Sequence, residues 1–119
     1  MDFWATWCGP CEPDLHRLAG IQQAYQDNDI KDRVILGIHT AGTERDAIAR
    51  VAAEKKLTYP IVIDSIANSN ERSWGDLFGK FEVKQLPLTM VVDRDGKVVA
   101  HGPLEKMLNV AAKLTEKKE

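Results

Sequence analysis

The run Val34–His39 (VILGIH) constrains the fold more than any other stretch of the chain. A nearly continuous apolar segment without alternation suits a strand buried on both faces of a sheet, and such sheets are covered by helices. The flanking segments supply them. Between Cys11 and about Gln26, Leu15, Leu18, Ile21 and Tyr25 recur at close to helical spacing, with Glu12 and Asp14 in the first turn and an expected end near Asp27–Asp29. Glu44–Lys56 gathers Ala47, Ile48, Val51 and Ala52 on one face, with Thr43 as the expected cap.

Met1–Trp4 and Tyr59–Asp64 (YPIVID) read as strands, and Ser65–Arg72 as a polar loop opening into a small helix around Trp74–Phe81. Leu88–Asp93 (LTMVVD) and Lys97–His101 (KVVAH) flank Arg94-Asp95-Gly96, the chemistry of a tight antiparallel hairpin. Leu104, Met107, Leu108, Ala111 and Leu114 mark a closing amphipathic helix. The order strand, helix, strand, helix, strand, short helix, hairpin, helix calls for an α/β fold. Its central sheet is mixed, mostly parallel with an antiparallel C-terminal hairpin, and flanked by helices on both faces.

A length of 119 residues fits a single domain. The first residues read as a strand already under way, so the domain is expected to be excised or processed from a longer chain, and Thr115–Glu119 reads as a solvated tail. Sixteen basic against eighteen acidic side chains, a formal charge of -2, argue against nucleic acid as a partner. No apolar run is long enough to span a bilayer, the start lacks the features of a secretion signal, and a monomer is expected.

Cys8 and Cys11 are the only cysteines, set around Gly9-Pro10 and behind Trp7. As a staple the pair is poor: closing a loop of about four residues returns roughly 2 kcal/mol, far less than a long loop does. As a zinc site it lacks partners, because His16, His39 and His101 form no ligand-spaced pair; His39 and His101, at strand ends, read as ordinary loop residues. Reversible redox chemistry fits best. At a strand-to-helix junction the first cysteine meets the unpaired N–H groups and positive dipole end of the helix, which favour its thiolate. Cys8 is then the attacking sulfur, Pro10 sits where its missing N–H costs nothing, and Cys11 resolves the mixed disulfide.

The motif WCGPC, preceded by DFWAT, resembles the active site of the thioredoxin superfamily. The wider pattern of FWATWCGPC, VILGI, YPIVID and LPLTMVVDRDGKVV is similar to its TlpA/ResA-like branch, and the resemblance covers nearly the whole chain. It implies a thioredoxin fold and a thiol-disulfide oxidoreductase, most readily a reductase of protein disulfides. It implies a disulfide-bearing protein client and an upstream dithiol electron donor, with no metal, nucleotide or flavin cofactor, and an extracytoplasmic location, with the cytoplasm as the alternative.

The resemblance also assigns residues. Asp2, six positions before Cys8, matches the family's buried acid, which takes the proton from the second cysteine. Pro87 matches the family's cis-proline, leaving the backbone of Leu86 to pair with an extended substrate, and Trp7 offers that substrate an apolar surface. The chain departs from the family pattern at His16, where a proline usually kinks the helix, and at Asp14, where a glutamate is frequent. Pro13 comes early, so the helix start is expected to be irregular. Trp4 reads as packing, and Trp74, Phe78 and Phe81 as a satellite of the core. Two rival readings are a redox-responsive interaction module of a larger protein and a peroxiredoxin-type peroxidase. The second is disfavoured because Ala5 stands where the peroxidase motif has threonine.

Overall fold

A computed structural model describes residues 1–67 and 74–116 of the chain. Its elements are β1 (Asp2–Trp4), a 3-10 turn (Gly9–Cys11), α1 (Glu12–Asp27), β2 (Gly37–His39), α2 (Arg45–Glu54), β3 (Ile61–Ile63), α3 (Asp76–Lys80), β4 (Leu88–Val92), β5 (Val98–Gly102) and α4 (Leu104–Glu116). The strands form one mixed sheet in the order β3-β2-β1-β4-β5. β1, β2 and β3 run parallel, β4 pairs antiparallel with β1, and β5 pairs antiparallel with β4. The α/β architecture expected from the element order is the one observed.

The two parallel crossovers step in the same direction across the sheet, so right-handed connections place α1 and α2 on one face. On that face Trp4 of β1 packs with Leu15 and Leu18 of α1, Ile48 of α2, Leu104 of α4, and both cysteines. The opposite face of β1 carries Phe3, which packs with Ile38, Phe78, Val83 and Met90 under α3. Strand alternation thus assigns Asp2 and Trp4 to the cysteine face and Phe3 to the other. The aromatic satellite expected around Trp74, Phe78 and Phe81 belongs to this second layer: Phe78 meets Phe3 edge to face at 5.0 Å between ring centres.

Three local readings change. The strand expected from Val34 begins only at Gly37, and Val34 is 87% exposed. The ladders to β1 and β3 open at Asp2–Gly37 and Gly37–Ile61, so the apolar residues before Gly37 lie outside them, although the Leu36 carbonyl still accepts the Asp2 amide at 2.8 Å. α2 is capped by Glu44, in extended conformation and without a side-chain bond, and Thr43 plays no capping part. The polar loop expected over Ser65–Arg72 lies partly outside the described residues, and the helix beyond it shortens to Asp76–Lys80.

What holds α3 in place is Asp64, at the end of β3. Its carboxylate accepts the amides of Ser65, Leu77 and Phe78 at 2.8, 3.1 and 3.0 Å, which satisfies N–H groups at the start of this short, half-exposed helix. Gly75 makes this approach possible: its φ of +153° favours glycine, and a Cβ there would run into the Asp64 carboxylate. The hairpin turn is built by Asp93, whose Oδ1 accepts the amides of Asp95 and Lys97 at 2.9 and 3.0 Å.

Candidate active site

Cys8 is the extended residue (φ -91°, ψ 100°) at which the chain leaves β1 and enters the 3-10 turn Gly9–Cys11. That turn explains the irregular helix start expected from the prolines. The Glu12 amide bonds to the Gly9 carbonyl in the 3-10 manner, and Pro13, the next residue, has no N–H to offer an α-helical ladder. α1 then continues without interruption to Asp27. The sulfurs of Cys8 and Cys11 are joined in a disulfide, with Cα atoms 5.4 Å apart. Cys8 is 9% exposed and Cys11 0%, so solvent reaches the first sulfur's residue and not the second.

Trp7 lies beside Cys8 with 57% of its surface exposed. Its ring contacts Trp74 at 5.8 Å between centres, and Trp74 in turn meets Phe78 at 6.1 Å. Sequence marks Trp74 only as core; in the fold it backs the exposed indole next to the site. The Leu86–Pro87 peptide bond is cis. Leu86, immediately before Pro87, packs against both apolar layers, including the one that contains the two cysteines.

Asp2 lies on the cysteine face of the central strand, between Gly37 of β2 and Thr89 of β4, and is buried. The absence of a side chain at Gly37 is what lets this layer close. A Cβ there would stand 3.1 Å from both the Trp4 indole nitrogen and a Tyr59 ring carbon. Among the described residues, neither Asp2 carboxylate oxygen has a hydrogen-bond partner, nor do the Trp4 Nε1, Tyr59 hydroxyl and Thr89 hydroxyl groups. Burial pushes the Asp2 carboxyl up to about 7, helped by the negative charge of Asp14 and opposed by the amino group of Met1. Burial likewise raises the Tyr59 phenol, with the Asp2 charge adding to it. Asp14, in the first turn of α1, is raised by burial and by Glu105.

Three helices are tied together around this layer at the surface: Glu12 pairs with Lys55 just beyond α2, and Arg17 pairs with Glu105 of α4 at 2.9 Å. Such exposed pairs contribute about 0–1 kcal/mol each. His16 and His101 are exposed. His39 is not the ordinary loop residue expected from sequence: it is the last residue of β2 and wholly buried, in edge-type contact with the Trp4 indole at 4.7 Å between ring centres, with its Nε2 accepting the Thr6 amide at 2.8 Å. Nothing local in the sequence signals this, because Thr6 and His39 are 33 positions apart.

Among the described residues no helix is long and apolar enough to cross a membrane. Comparison with known proteins gives a consistent result. Residues 1–112 match the model of the family described as Redoxin. A thiol-disulfide oxidoreductase ResA of Bacillus cereus is 27% identical over 99 residues, covering 83% of this chain and 50% of that protein. The chain thus spans about half the length of the curated relatives it matches. A solved thiol-disulfide oxidoreductase from Bacteroides fragilis superposes with a TM-score of 0.72 at 24% identity, over 94% of this chain and 76% of the other. A secreted thiol-disulfide isomerase from Corynebacterium glutamicum does so at 0.71 and 21%, over 98% and 69%.

Proposed function

The chain belongs to the redoxin family, as a ResA-like member of the thioredoxin superfamily, and on that premise we propose that it is a thiol-disulfide oxidoreductase that reduces protein disulfides through Cys8 and Cys11. The observation that carries this reading is the asymmetric disulfide: Cys8 at the mouth of a helix start, and Cys11 one turn in and fully enclosed.

In the reduced protein the helix start favours the Cys8 thiolate. The thiolate attacks one sulfur of the client disulfide, forming a mixed disulfide and releasing the client's other sulfur as a thiolate, which takes a proton from water. Cys11 then gives its proton to the Asp2 carboxylate and attacks the Cys8 sulfur. The client's second sulfur leaves as a thiolate and takes up that proton from Asp2, so the client departs with two thiols, the Asp2 carboxylate is restored and the Cys8–Cys11 disulfide remains. Asp2 suits the proton-accepting role because a carboxyl near 7 is partly ionised at neutral pH, yet basic enough to take a proton. An upstream dithiol protein returns two electrons and two protons. Trp7 and the backbone at Leu86, set by cis-Pro87, would hold the client's chain against the site. The structural neighbours described as secreted and as an exposed lipoprotein support an extracytoplasmic setting.

The test is insulin reduction by the purified chain. Cys8→Ser should abolish turnover, whereas Cys11→Ser should accumulate a mixed disulfide with the client that mass spectrometry detects. Full activity in Cys8→Ser, or no trapped species in Cys11→Ser, would refute the assignment.

A further inference from the structure

Thr6 lies two residues before the attacking sulfur, in the turn that carries the chain from β1 to Cys8. Within that turn the Cys8 amide bonds to the Ala5 carbonyl at 3.1 Å, and the turn is tied to the body of the protein by the Thr6 amide, which donates to His39 Nε2. The other ring nitrogen fixes the tautomer. An Nε2 that accepts an amide carries no proton, so Nδ1–H donates, and its acceptor is the Thr40 carbonyl at 2.8 Å. The ring is clamped between these two bonds and the Trp4 face and has no exposed surface.

We infer that His39 is a positioning residue for the redox site: its neutral imidazole pins the Thr6 amide, and protonation of Nε2 unpins the turn that presents Cys8. The inference rests on the reading of Cys8 as the attacking sulfur. A protonated ring would set an N–H against the Thr6 N–H, leaving the amide without an acceptor and a charge in the core. Among the described residues no neighbouring group offers the cation a partner. On β1 the nearest acid is Asp2, two positions before Trp4. After β3, Asp64 already accepts three backbone amides. The turn itself brings only Thr6, Trp7 and the cysteines, and Thr40 already accepts Nδ1–H. Burial accordingly holds the imidazole below its ordinary value.

The experiment follows the Thr6 amide and Cys8 separately in the full chain. Thr6 hydrogen exchange is measured by NMR, and Cys8 alkylation by iodoacetamide in the reduced protein, from pH 5 to 8, in wild type, His39→Ala and His39→Gln. Glutamine offers a non-titrating acceptor. His39→Ala is expected to accelerate Thr6 exchange about fivefold or more, relative to amides elsewhere in the sheet, and to slow alkylation at pH 7.5. His39→Gln is expected to restore most of both and to keep Thr6 protection constant over the pH range in which the wild-type His39 ring signal titrates.

If His39→Ala does not fold, the wild type decides by its own pH series: Thr6 protection relative to other sheet amides must fall as the His39 ring signal titrates. Unchanged Thr6 protection in His39→Ala, or relative Thr6 protection in His39→Gln that falls with pH as it does in wild type, overturns the inference; alkylation is compared between variants at one pH, because the Cys8 thiolate itself protonates toward acid in all of them. Insulin reduction run alongside separates the two readings, because an inactive wild type with His39-dependent Thr6 exchange would sink the oxidoreductase proposal and leave the anchor standing.

Discussion

Replacing Asp2 by asparagine isolates the energetic consequence of burying a carboxyl beneath the cysteine layer. Its folded-state value of about 7 stands well above the 3.8 of an exposed aspartate. Between those values the native protein keeps a proton that the unfolded chain releases. The wild type therefore holds its full contribution from this group below pH 3.8 and loses it as pH rises through 7. At 1.36 kcal/mol per unit, the loss totals roughly 4 kcal/mol.

Asparagine is uncharged throughout. The stability difference, Asp2→Asn minus wild type, should climb by about 1.4 kcal/mol per pH unit between pH 4 and 7 and level off above that. Any pH-independent effect of the amide shifts the whole curve and leaves its slope intact. Urea unfolding of the oxidised proteins, at half-unit steps from pH 4 to 8.5, reads the slope directly, since titrating groups that do not interact with Asp2 cancel in the difference. A flat difference would show a solvated carboxylate and remove the physical basis for Asp2 as proton acceptor; a downward slope would mean a partner that favours its ionised form. In the reduced state the same substitution should slow release of the trapped client without slowing capture.

The other consequences are structural. Phe78→Ala should cost about 3–5 kcal/mol in chemical unfolding, because it empties the centre of the second apolar layer against Phe3; a loss under about 1 kcal/mol would mean that layer is loosely packed. Gly75→Ala should destabilise by at least about 1–3 kcal/mol and disturb α3, since it combines a disfavoured φ with a clash against the capping Asp64, and near-wild-type stability would contradict the cap. Tyr59→Phe should change stability by less than about 1 kcal/mol, because its hydroxyl has no bond among the described residues; a loss above about 2 kcal/mol would reveal a buried partner for it.

Along-chain pattern was enough to place the helices and strands of the described residues in order, because helical periodicity, turn chemistry at Arg94-Asp95-Gly96 and the Cys8-Gly-Pro-Cys11 spacing are local properties. The same holds for the cis bond before Pro87, for which the resemblance to a family sufficed. The resemblance anticipated a buried acid at Asp2, but tertiary structure decided what removes water from it and that His39 loses water too. Asp2 is raised because Gly37, Tyr59 and Thr89, from three distant segments, close around it, and His39 becomes an anchor because a parallel ladder sets β2 beside the turn to Cys8. Val34 shows the converse: an apolar residue in an apolar run stays in solvent, because no neighbouring strand reaches it. Desolvation depends on what packs against a group from elsewhere in the chain, and no window of neighbouring residues contains that information.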